Sequence, residues 1–100
     1  METLETYSQD IERLCTMYKV KTLYVFGSVL SEKFTEKSDI DFIVDFESID
    51  LKNYADNYFN LKFSLEDVFN RTIDLIEAKA IKNPYFKQSL ERQRKLIYGH

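Results

Sequence analysis

The apolar residues of this chain change their period several times, and that switching limits the folds open to it more than any single motif does. Thr22-Leu-Tyr-Val-Phe26, Ile40-Asp-Phe-Ile-Val-Asp-Phe46 and Ile73-Asp-Leu-Ile76 are short β-branched and aromatic runs, which predicts three strands. Around them the period becomes helical. Leu4, Tyr7, Ile11, Leu14, Cys15 and Tyr18 recur at steps of three and four, predicting a first helix that ends near Tyr18. Leu51, Tyr54, Ala55, Tyr58, Leu61, Leu65, Val68 and Phe69 mark a long amphipathic helix, with Asp50 as its N-cap and Asn70 in the left-handed position that closes it. Val29 to about Lys33 reads as a short helix, and Asn83-Pro84 as the cap and first turn of a basic helix. Periodicity leaves Lys95 to Tyr98 open between a continuation of that helix and a short edge strand. The order is α-β-α-β-α-β-α, a layered α/β (α+β) arrangement.

In 100 residues, 44% hydrophobic and 15% aromatic content suffices to bury one core, so a single domain over residues 1–100 is expected. Cys15 is the only cysteine and falls on the apolar stripe of the first helix, which favours a core role over a nucleophilic one. His100 is the only histidine, so no Cys/His zinc spacing exists. No stretch reads as a membrane span or signal peptide, and the expected location is the cytoplasm. A net charge of −3 argues against direct nucleic-acid binding, which rests on basic surface. The charges are segregated: between Glu36 and Asp56 lie seven acids and two lysines, whereas Glu91 is the single acid between Lys79 and Lys95.

The chemistry concentrates where strands begin and end. Gly27-Ser28 closes the first strand, ten residues follow, and Asp39-Ile40-Asp41 opens the second; Asp74 comes early in the third. Side chains two apart on a strand share a face, so Asp39 and Asp41 present paired carboxylates while Ile40 and Phe42 face the other layer. Paired carboxylates suit a hard cation such as magnesium, whose remaining positions accept water and substrate phosphates. A glycine at a strand end leading into a helix allows close backbone approach to a phosphate, and the helix N-terminus favours the anion. Gly27-Ser28 and the three aspartates can meet at one sheet edge only if the first strand runs antiparallel to the other two. A mixed sheet is therefore expected, with a parallel crossover through the long helix.

The segments GSVLSEKFTEKSDID and RTIDLIE, with the tail NPYFKQSLERQRKLIYG, resemble the signature of MNT-type minimal nucleotidyltransferases of the polymerase-β-like superfamily. The resemblance spans nearly the whole chain. It implies the nucleotidyltransferase fold, with Asp39 and Asp41 holding Mg2+, Asp74 completing the metal site and helping to deprotonate the attacking hydroxyl, and Gly27 and Ser28 holding the triphosphate of ATP. It further implies a HEPN-type toxin as partner: MNT antitoxins of HEPN/MNT pairs transfer AMP from ATP to a tyrosine of the HEPN ribonuclease. Many relatives carry Arg-Ala-Arg-Gly after Gly-Ser, where this chain has Val29-Leu30-Ser31-Glu32. Phosphate charge then falls to the metals and to Lys33 or Lys37. Two other functions are compatible with the motif, a non-catalytic antitoxin acting by binding and a small-molecule nucleotidyltransferase, although 100 residues leave little surface for a private acceptor pocket.

Overall fold

The computed structural model describes residues 7–26 and 39–99. The expected short helix after Gly27-Ser28, with Lys33 and Lys37, lies outside the described residues, as does Leu4. Helix α1 (Ser8–Met17) buries Ile11, Leu14 and Cys15, one stripe at helical spacing. It ends with the Tyr18 amide donating to the Leu14 carbonyl at 2.9 Å, and Lys19 at φ 58° turns the chain into β1 (Val20–Phe26). Strand β2 (Ile40–Phe46) leads to helix α2 (Leu51–Phe69), which Asn70 closes at φ 53°, ψ 46°. Strand β3 (Ile73–Glu77) runs into a 3-10 turn (Ala78–Ala80), then helix α3 (Pro84–Gln93) and strand β4 (Lys95–Tyr98). The Asn83 side chain accepts from the amides of Tyr85 and Phe86 at 2.9 and 3.2 Å, the N-cap that Asn-Pro predicts.

The sheet order is β3-β2-β1-β4. β1 runs antiparallel to β2, and β2 parallel to β3, so the mixed topology that the motif requires is present. The sheet has four strands rather than three, because residues 95–98 pair antiparallel with the free edge of β1. Helices α1 and α2 pack on the face carrying Leu23, Val25, Ile40, Phe42, Val44, Ile73 and Leu75, all nearly inaccessible to solvent. Each fully buried Leu, Ile or Phe there contributes roughly 1.5–3 kcal/mol.

Polar contacts fix α2 against this layer. The Tyr58 hydroxyl donates to the Leu75 carbonyl, Tyr54 to Glu77 Oε2 at 2.5 Å, and Asn57 Nδ2 to the Tyr18 carbonyl at 2.7 Å. Glu66 Oε2 accepts from the Ile73 amide at 3.1 Å and so sets where β3 begins. Two details of the expected helix differ. Leu51 is 93% exposed, because the first turn of α2 overhangs the sheet end, and the buried stripe runs through Leu61, Leu65 and Phe69. Asp50 occupies the N-cap position without a side-chain bond; its backbone carbonyl instead accepts from the Asn53 amide at 2.9 Å. Cys15 is fully buried and burial pushes its thiol up to about 12, which bars a nucleophilic role at neutral pH.

Candidate active site

Alternation along β2 divides its side chains. Ile40, Phe42, Val44 and Phe46 enter the core, whereas Asp41, Ile43 and Asp45 face the opposite side of the sheet. Asp41 pairs in register with Asp74 of β3 on one flank and with Phe26 of β1 on the other. Directly opposed residues on adjacent strands bring their Cβ atoms to about 5 Å, which brings the two carboxyls together. Asp39, exposed, stands just ahead of β2. The Ile40 amide, between Asp39 and Asp41, is tied to the Thr72 carbonyl at 3.2 Å, which anchors the start of β2 beside that of β3.

The electrostatics follow from this crowding. Partial burial raises the Asp41 carboxyl above its usual range, and the charges of Asp74 and Asp39, with a hydrogen bond to Asp74, raise it further. No ion pair among the described residues neutralises Asp39, Asp41 or Asp74. Mutually repelling oxygen donors of this kind fit a divalent cation. Among the described residues no three His, Cys, Asp or Glu side chains form a ready-made metal cage. An open set is what magnesium chemistry uses, because Mg2+ keeps waters and takes substrate phosphates beside one or two carboxylates.

Gly27 and Ser28 lie outside the described residues; Phe26, which immediately precedes them, is the residue paired with Asp41. A cavity of about 300 Å³ opens at the other end of the sheet, between Val44–Ile49, Tyr54, Glu77 and Lys79, and contains none of the three aspartates. It holds the Tyr54–Glu77 hydrogen bond and a 4.0 Å Lys79–Asp45 ion pair, with Asp45 Oδ1 buried and making no hydrogen bond; because none of the three motif aspartates reaches it, the carboxylate edge is the better candidate site.

One further residue reaches this face unannounced by any motif. The Arg94 guanidinium lies over the Tyr24 ring, 4.0 Å from its centroid. In the sequence Arg94 is one of several basic residues of the tail. Only the pairing of β4 with β1 gives it this neighbourhood.

Comparison with known proteins agrees with the fold. A family model described as polymerase beta, nucleotidyltransferase matches residues 9–100. A relative from Methanocaldococcus jannaschii named as a protein adenylyltransferase is 41% identical over 102 residues, covering 98% of this chain and 99% of the relative. A solved minimal nucleotidyltransferase superposes with a TM-score of 0.78 at 26% identity, over 94% of this chain and 92% of that one. A tri-AMPylated Shewanella oneidensis HEPN toxin in complex with an MNT antitoxin gives a TM-score of 0.66 at 20% identity, over 97% of this chain and 73% of that one. At 20% identity that likeness concerns the fold alone.

Proposed function

This chain belongs to the polymerase β nucleotidyltransferase family, and from that footing we propose that it transfers AMP from ATP, with Mg2+, to a tyrosine hydroxyl of a HEPN-type ribonuclease toxin and so acts as its antitoxin. The observation that carries the reading is the register of Asp41 with Asp74, with Asp39 beside them, at the sheet edge where β1 ends. The Shewanella oneidensis pair supports the choice of acceptor, since there an AMPylated HEPN toxin sits with its MNT antitoxin.

Asp39 and Asp41 hold the cation, Asp74 completes its site, and Gly27 and Ser28 hold the triphosphate. Magnesium bound there supplies the positive charge that stabilises a transferring phosphoryl group. Asp74, on the flank of β2 away from β1, orients the acceptor hydroxyl and takes its proton. A bond forms between the hydroxyl oxygen and the α-phosphorus; the bond from that phosphorus to the bridging oxygen breaks, and pyrophosphate leaves with the electron pair. The protein's part is positioning and charge stabilisation.

The test is the intact mass of the partner before and after incubation with this protein, Mg2+ and ATP, together with its ribonuclease activity once the two are separated. The expected result is a mass increase by adenylyl units and activity that stays low after separation. Unchanged mass with activity restored on separation would overturn the transferase reading in favour of inhibition by binding.

A further inference from the structure

Arg94 occupies the last residue before β4, in extended conformation at φ −76°, ψ 151°. Val25 pairs with Lys95 and Tyr24 with Leu96, so continuing the antiparallel register by one residue sets Arg94 level with Phe26. Phe26 pairs with Asp41, and Asp41 with Asp74. Arg94, Phe26, Asp41 and Asp74 therefore form one row across all four strands. With neighbouring strands about 4.8 Å apart, the backbone of Arg94 lies about 10 Å from that of Asp41, on the side opposite Asp74. Tyr24, beneath the guanidinium, pairs with Ile43, two residues on from Asp41, so it faces the same side of the sheet as the carboxylates.

A guanidinium stacked on an aromatic ring is held in place by its face and leaves the N–H donors at its edge available, the geometry that phosphate oxygens accept. Among the described residues the Arg94 side chain has no carboxylate partner. The direction of the reaction then selects which phosphates it can meet. In an in-line displacement the leaving oxygen lies opposite the attacking one. With the acceptor hydroxyl on the Asp74 flank, pyrophosphate lies on the flank of β1 and β4. We infer that Arg94, on its Tyr24 platform, binds the β- and γ-phosphates of the nucleotide and meets the charge that develops on the leaving pyrophosphate. This deepens the adenylyl-transfer reading and rests on it. It also supplies a cation that the segment after Gly27-Ser28, with Val29-Leu30-Ser31-Glu32, does not.

The test uses the full chain with Mg2+ and compares the binding of ATP, pyrophosphate and AMP by calorimetry in the parent, Arg94→Gln and Arg94→Lys, with thermal melting of each. Glutamine removes the charge, the fork and the reach over Tyr24, whereas lysine keeps the charge and most of the length but not the planar fork. Expected are an approximately tenfold loss of ATP and pyrophosphate affinity in Arg94→Gln, a loss under about twofold for AMP, and partial retention of pyrophosphate binding in Arg94→Lys. Equal weakening of AMP and ATP, or no change in either, overturns the assignment while leaving adenylyl transfer intact. A parent chain that binds neither ATP nor pyrophosphate overturns both readings together.

Discussion

At the scale of one residue, Asp41 sets stability against function. Its carboxyl is held above its ordinary range by burial, Asp74 and Asp39, so the folded state favours the protonated form. Such a group helps stability below the unfolded value near 3.8 and ceases to help as pH rises through its folded value. Asp41→Asn removes the repulsion at neutral pH. In metal-free buffer at pH 7 the variant is expected to melt higher than the parent, by on the order of 1–2 °C, the scale of a few tenths of a kcal/mol in a chain this short. The gain should fade as pH falls through the raised folded value, where the parent's own carboxyl becomes protonated, and be gone below the unfolded value near 3.8; scanning calorimetry at several pH values checks this. Function moves the opposite way. Replacing Asp39 and Asp41 together with Asn should lower nucleotidyl transfer by on the order of a thousandfold or more with the fold retained, as measured by label incorporation and circular dichroism.

Among the elements, α2 divides into a half that stabilises and a half that does not. Leu65 is fully buried against the sheet, so Leu65→Ala should cost about 2–5 kcal/mol, whereas Leu51→Ser should stay within about 0.5 kcal/mol; denaturant midpoints distinguish them. The contrast marks where periodicity misleads. Leu51 fits the helical stripe by spacing, but spacing does not say where the sheet beneath the helix stops. The sequence was more informative where a local rule operates without help from distant residues. Asn70 takes the left-handed turn because its short polar side chain tolerates it, and Asn83 caps α3 because its oxygen reaches two amides nearby. The paired aspartates were legible because a strand alternates with a period of two, and Ile40 and Phe42 leave no doubt which face is core. The four residues of β4 carry no period long enough to read, and they become a strand only because β1 offers an unpaired edge. Arg94 was illegible for the same reason, since its place in the row depends on register between segments far apart in the chain.

At the scale of the whole molecule, β4 ties the end of the described chain to its beginning. Leu23 pairs with Tyr98, and Gly99 at φ 93° passes so close to β1 that a Cβ there would lie 2.2 Å from the Lys21 carbonyl oxygen. Gly99→Ala should accordingly destabilise the protein by about 1 kcal/mol or more and speed amide hydrogen exchange in β4 and the outer edge of β1, with little effect on exchange in β3. The same tie has a consequence in time. A ribosome delivers β1, β2 and β3, with all three aspartates, before it delivers α3 and β4. Throughout that interval the nascent chain carries its acidic residues without Arg94 in their row, and β1 shows a bare edge to whatever other strands are nearby. The row from Arg94 to Asp74 is therefore completed only once the tail has been translated and β4 has docked on β1.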